Sequence, residues 1–311
     1  MYTMFTPICT PVYTHCVCSD FERMIVMELL SVNGLCKDYG KFKLSDVSFS
    51  LESGYIMGFI GRNGAGKTTT LKSMLGLVSP NGGKVEICGK DISENGLECL
   101  SEIGVVFGEF DYYGQKTLRK ITNVYKTFYK NWDDEAYRNY LEKFSLDEEK
   151  CVKELSAGMK VKYSLALAMS HGAKLLILDE PTSGLDPISR DELMDVFRSI
   201  IEDGEHSILF STHITSDLES CADYITYIKN GRIVFSKESV LLRDEYMIVK
   251  GAKSTLDGDF AGKLIGVREN VFGIEALINS ADAEEAKAAG FEVFPANIES
   301  VMIHLEKDER F

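Results

Sequence analysis

A parallel α/β sheet with phosphate chemistry at the carboxyl ends of its strands is the fold this sequence predicts. Three observations carry it. The runs "YIMGFIG", "AKLLILDE" and "HSILFSTH" are short and apolar without alternation, as strands buried on both faces must be. The helical stretch "SRDELMDVFRSIIEDG" separates the last two, so strands and helices alternate. The first run opens directly into a glycine-rich loop, and ligands of such sheets sit beyond the strands' carboxyl ends.

Taken in order from Met27, "MELLSVNGLCKDYG" and "FKLSDVSFSLESG" read as β segments joined by turns containing Gly and Asp. "YIMGFIG" is the first buried strand, and "KTTTLKSMLGL" has the spacing of a helix leaving the loop behind it. After "SPNGGKVEICG" and "SEIGVVFGE", the stretch from Thr117 to about Glu154 reads as mostly helical. Its Val124, Phe128, Tyr129, Tyr137, Leu141 and Phe144 recur at three-to-four spacing, which predicts a packing stripe rather than a ligand box. From about Leu241 the phosphate-type motifs stop. Short β-like pieces ("EYMIVKG", "VFGIEALI", "FEVFPA") and two helical ones ("DAEEAKAAG", "IESVMIHLEK") predict a small α+β appendage over 241–311.

The first 26 residues match neither pattern, and Pro7 and Pro11 interrupt any apolar run, so a signal peptide is not expected. They read as a disordered extension or the product of an upstream start. No stretch offers the eighteen or so apolar residues a membrane span requires. The chain has 311 residues, 45% hydrophobic and 26% charged, enough for a substantial core without disulfide staples. Its formal net charge of -14 argues against nonspecific binding to nucleic acid or an anionic membrane surface. The eight cysteines are scattered and expected to be reduced thiols, and "THCVC" (His15 to Cys18) lacks the nearby partner ligands that a metal would need.

Chemistry concentrates at three places. "GRNGAGKT" (Gly61, Arg62, Asn63, Gly64, Ala65, Gly66, Lys67, Thr68) satisfies the P-loop pattern. Its glycines let successive N–H groups converge on phosphate oxygens, and the following helix adds its positive end. Lys67 would reach the terminal phosphates, with Thr69 close behind, and the Thr68 hydroxyl would join a Mg²⁺ shell. "LLILDE" ends a buried strand on Asp179, an oxygen ligand suited to Mg²⁺. Next comes Glu180, pointing the other way in an extended chain and so placed to orient or deprotonate an attacking water. His213, just past "HSILFST", can hydrogen-bond a γ-phosphate.

In that order, with "LSAGM" (Leu155 to Met159) and "SGLD" (Ser183, Gly184, Leu185, Asp186) between them, these motifs resemble the ATP-binding subunits of ABC transporters from about Met27 to Val240. The resemblance implies a P-loop NTPase of the ABC type at 27–240. It has a β subdomain, a helical subdomain at about 115–170, and ATP and Mg²⁺ as cofactors. It further implies that Tyr39 stacks on adenine, that Glu180 and His213 are catalytic, and that Ser183 to Asp186 form the D-loop. The signature Ser156, Ala157, Gly158 and Met159 would contact ATP held by the opposite subunit, although Ala157 and Met159 depart from the common "LSGGQ".

Partners would be a transmembrane permease and a second nucleotide-binding domain, identical or not, placing the chain at the cytoplasmic face of the membrane. "YKNWDDEAYRNYLEKFSLD" and the ending "PANIESVMIHLEK" are similar to ABC-2 type exporters of the bacitracin-exporter-like and GntR-operon-associated branch. The alternatives are a soluble ABC-type ATPase and a nucleotide-sensing module without a transport partner. One departure is local. The strand "IGVVF" should end on a glutamine that touches Mg²⁺, and here Gly108 holds the place with Glu109 beside it. Glu109 or a water would have to supply that oxygen, because Gln115 lies too far along the loop.

Overall fold

The computed structural model describes residues 27–107, 113–257, 259–308 and 310. The opening extension and its "THCVC" cluster, Gly108 and Glu109 lie outside the described residues.

Strand β1 (Glu28–Asp38), irregular at its bulges, pairs as an antiparallel hairpin with β2 (Lys43–Glu52), most of which alternates buried and exposed positions. Next come β3 (Ile56–Ile60), α1 (Lys67–Met74), β4 (Gly82–Ile87), β5 (Lys90–Asp91), α2 (Ile92–Ser101) and β6 (Ile103–Phe107). The helical stretch holds α3 (Leu118–Tyr125) and α4 (Asp134–Lys143), and α5 (Ala157–Ser170) follows it. Then β7 (Leu175–Asp179), α6 (Pro187–Ile201), β8 (Ser207–Thr212), α7 (Thr215–Cys221), β9 (Tyr224–Lys229) and β10 (Arg232–Glu238) complete the larger unit.

Two sheets result. One is antiparallel, ordered β2-β1-β4-β5, and the other runs β10-β9-β3-β8-β7-β6. In the second, β9, β3, β8, β7 and β6 are mutually parallel and only β10 reverses. Every residue of β3 and β8 is buried, which explains why neither run alternates. The carboxyl ends of β3, β7 and β8 therefore emerge side by side, each carrying one of the three motifs.

The helical stretch departs from its expected stripe. Tyr137, Leu141 and Phe144 are buried, whereas Val124 and Phe128 are exposed. A 3₁₀ turn at Lys126–Phe128 resets the helical phase, so positions before and after it do not share a face. Within the packed part, the Thr122 hydroxyl bonds the hydroxyls of Tyr137 at 2.7 Å and Tyr163 at 2.8 Å. The five cysteines among the described residues are free thiols.

Beyond α8 (Ser239–Glu245), strands β11 (Tyr246–Gly251), β12 (Ile265–Asn270), β13 (Gly273–Asn279) and β14 (Glu292–Pro295) form an antiparallel sheet ordered β12-β13-β11-β14. Helices α9 (Ala283–Ala288) and α10 (Ile298–Lys307) accompany it. One face of α10 (Ile298, Val301, Leu305) enters the same apolar cluster as Leu218 and Ala222 of the larger unit. The appendage thus continues the main core instead of hanging from it. No described helix is long and apolar enough to cross a membrane.

Candidate functional site

The glycine-rich loop runs between β3 and α1, and its backbone tolerates no side chain at the critical bends. A Cβ on Gly61 would meet the Ile228 carbonyl oxygen at 2.5 Å. Gly66 sits at φ 117°, a conformation closed to residues with a Cβ, and caps α1. The loop borders a cavity of about 550 Å³ walled by Arg62, Asn63, Lys67, Thr68, Glu180 and His213.

Lys67 is only 6% exposed, and its ammonium is held from three sides. It donates to the Gly61 carbonyl at 2.7 Å and to the Arg62 carbonyl at 3.5 Å, and it pairs with Glu180 Oε1 at 3.1 Å. The Thr68 hydroxyl donates to Asp179 Oδ2 at 2.8 Å. Glu180 Oε2 lies 2.7 Å from His213 Nδ1. Three loops thereby converge on one cavity: Lys67, Thr68, Glu180 and His213 line it with Arg62, Asn63, Thr69 and Ser183, and Asp179 stands behind Thr68.

The two carboxylates diverge for a different reason from the one expected. Glu180 is not extended; it lies at φ 51°, in the left-handed region. The strand stops at Asp179, and this reversal turns Glu180 towards Lys67 and His213 while Asp179 faces Thr68. Ser211, at the end of β8, fastens the junction. Its hydroxyl donates to Asp179 Oδ1 at 2.5 Å and accepts from the Glu180 N–H at 3.0 Å.

A second support lies beneath. Asp217 is 1% exposed and accepts from the hydroxyls of Thr182 at 2.6 Å and Thr212 at 3.3 Å. Arg190 stands 3.6 Å from its other oxygen. Burial raises the Asp217 carboxyl above the usual range against the pull of Thr182 and Arg190. The segment Ser183–Asp186 follows Thr182 and ends as the N-cap of α6. There Asp186 accepts from Ile188 N and Ser189 N, and the Ser189 hydroxyl bond lowers its carboxyl.

Other expected residues stand apart from the cavity. Ser156 caps α5, accepting from Met159 N at 3.2 Å. Gly158 faces Leu185 and Ser189, so the signature abuts this chain's own Ser183–Asp186 segment rather than its own phosphate loop. The helix start at Ala157 presents N–H groups suited to an anion. Tyr39 is half-exposed in the β1–β2 turn with the Lys37 ammonium 5.3 Å above its ring, while Phe42, unremarked in the sequence, lines the cavity. Phe107, the last residue of β6, stands in register with Asp179. Gln115 is exposed and absent from the cavity wall.

Ser211, Thr182 and Asp217 also escaped the sequence reading. Ser211 and Thr182 adjoin motifs and carried only proximity as a signal; Asp217 carried none.

A family model described as ABC transporter matches residues 44–183. The chain is 37% identical over 216 residues to the bacitracin transport ATP-binding protein BcrA of Bacillus licheniformis, covering 66% of this chain and 68% of that one. It is 36% identical over 213 residues to the lantibiotic transport ATP-binding protein SrtF of Streptococcus pyogenes, covering 68% and 91%. Among solved structures, an ATP-binding subunit of an ABC transporter matches with a TM-score of 0.61 at 28% identity, over 69% of this chain and 92% of that one.

Proposed function

The chain belongs to the family of ATP-binding subunits of ABC transporters, and on that premise we propose that it energises export of a peptide antibiotic through a separate membrane permease. It binds and hydrolyses ATP. The observation that carries the reading is the convergence of Lys67, Glu180 and His213 on one cavity, with Thr68 and Asp179 beside them. The similarity to bacitracin and lantibiotic transport proteins supports the cargo class.

The roles follow from the contacts. The P-loop N–H groups and Lys67 hold the β- and γ-phosphates. The Thr68 hydroxyl and Asp179 carboxylate form a pair of hard oxygens fit for Mg²⁺, which when bound neutralises phosphate charge. Glu180 takes the proton of the attacking water. His213, bonded to Glu180 through Nδ1, fixes that carboxylate and leaves Nε2 for the γ-phosphate. Tyr39, or Phe42 from the cavity wall, stacks on the base. Ser156 and Gly158, with Ala157 and Met159, reach the ATP of a second nucleotide-binding domain, and Ser183–Asp186 lies against that partner. Glu109, close behind Phe107 in the chain, is proposed as the additional oxygen donor where the family uses glutamine.

The dimer closes because ATP bridges two chains and favours the closed state by differential affinity. Hydrolysis at Glu180 removes the bridge and returns the pair to the open state.

Two measurements test this. Lys67→Ala should abolish ATP binding in a titration of the purified chain, and undiminished binding would undo the P-loop assignment. Expressed with its permease, the chain should co-purify with a membrane protein and show ATP turnover that a peptide antibiotic stimulates. Turnover indifferent to peptide cargo would remove the cargo class.

A further inference from the structure

The last helix of the appendage reaches the phosphate loop. Glu306, near the end of α10, accepts from Arg62 Nη1 at 3.3 Å through one carboxylate oxygen and from the Tyr227 hydroxyl at 2.5 Å through the other. Lys229 donates to the carbonyls of Leu305 at 3.0 Å and Asp308 at 2.8 Å, holding the helix's negative end. Tyr227 and Lys229 belong to β9, which pairs with β3, the strand that opens into the loop; Ile60 stands in register with Tyr227. The carboxylate of Glu306 is thus a fixed anion, only 26% exposed, whereas Arg62 is 76% exposed and free to swing.

Arg62 also walls two cavities. One is the nucleotide cavity; the other, of about 380 Å³, lies between the phosphate loop and α10 and is bounded by Arg62, His213, Glu299, Met302 and Glu306. The guanidinium therefore has two anionic destinations, a triphosphate on one side and the Glu306 carboxylate on the other. An arginine engaged by one carboxylate is less available to phosphate, because its planar fork serves one partner well at a time.

We propose that Glu306 is a positioning residue that draws Arg62 towards α10 and so sets the affinity of the phosphate loop for ATP. This rests on the reading of the cavity as the ATP site. Its consequence is that ATP affinity depends on how the appendage is seated. A shift that withdraws α10 releases Arg62 to the phosphates.

The test is a double-mutant cycle on the full chain, titrated calorimetrically with ATP in chelator so that no turnover intervenes. Glu306→Gln keeps the shape and the acceptor for Tyr227 but removes the charge. ATP should bind about two- to fivefold tighter, the range that an exposed ion pair supports. Arg62→Ala should weaken binding, and adding Glu306→Gln to it should change nothing further. The gain in the single variant should shrink as salt rises.

Three results would overturn the proposal: no tightening, weaker binding, or equal tightening with and without Arg62, which would make Glu306 a plain through-space repulsion. Failure of the parent chain to bind ATP would instead remove the site assignment. Should Glu306→Gln lose its folded circular-dichroism baseline, Glu306→Met, which also removes the charge at nearly the same length, takes its place with the same expectations.

Discussion

Glu180→Gln separates binding from hydrolysis, because the glutamate holds Lys67 as well as the expected water. Lys67 Nζ and Glu180 Oε1 are 3.1 Å apart with both side chains largely shielded. At an effective dielectric of ~20, unit charges at that distance attract by about 5 kcal/mol before desolvation is counted. After desolvation, a charge-assisted hydrogen bond retains roughly 1.5–3 kcal/mol. A triphosphate arriving at the loop must compete with this contact for the same ammonium. The amide preserves the shape and the bond to His213 while removing the charge. ATP should consequently bind about tenfold tighter or more, because tenfold corresponds to ~1.4 kcal/mol. Turnover should fall by roughly 10²–10⁴, the contribution of a positioned general base. Calorimetric titration gives the affinity, phosphate release gives the rate, and size-exclusion chromatography with ATP shows whether a dimer accumulates. Equal hydrolysis by variant and parent would refute the base assignment. Weaker ATP binding would refute the competition for Lys67.

Other expectations follow from residues outside the motifs. Ser211→Ala removes the hydroxyl that donates to Asp179 and accepts from Glu180 N–H, so turnover should drop about tenfold and need more Mg²⁺. A Mg²⁺ titration of activity checks this, and an unchanged curve would contradict it. His171 is buried at the end of α5 with neither ring nitrogen hydrogen-bonded, stacked on Tyr129 with ring centroids 3.9 Å apart. Burial pushes its pKa down to about 4, so the folded chain binds this proton less readily than the unfolded chain. Its contribution to stability is full above about pH 6.5 and is lost as pH falls towards 4, amounting to ~2 kcal/mol by about pH 5. Urea unfolding at neutral pH and at pH ~5 should show that loss in the parent and a correspondingly smaller one in His171→Phe; identical losses would exclude His171 as the source.

The sheet and the residues that gather at the candidate site were legible because each rests on local sequence. A strand buried on both faces advertises itself by its apolar run, and a phosphate loop by glycines that its backbone cannot replace. What stayed hidden depends on contacts between distant parts of the chain. Asp217 reads as one more polar residue at the start of a short helix until Thr182, 35 residues away, donates to it. Glu306 meets Arg62 across a separation of 244 residues, and no periodicity encodes that. The aromatic stripe failed at Val124 and Phe128 for a local reason, since a single 3₁₀ turn rotates one helix against the next. The kink at Glu180 was equally silent, because left-handed backbone at a residue other than glycine leaves no mark in composition.

The buried Asp217 carboxylate has a consequence for timing. Thr182 leads into the segment Ser183–Asp186, and Thr212 immediately precedes His213; both hydroxyls hang from the same oxygen. Thr212 also accepts from the Ile214 N–H at 2.9 Å, so the turn carrying His213 is gripped from both ends. A push on Ser183–Asp186 that keeps the Thr182 bond intact must carry Asp217 and the first turn of α7 with it. The two loops thus hang from one buried carboxylate, which links Ser183–Asp186 through Thr182, Asp217 and Thr212 to the turn that carries His213.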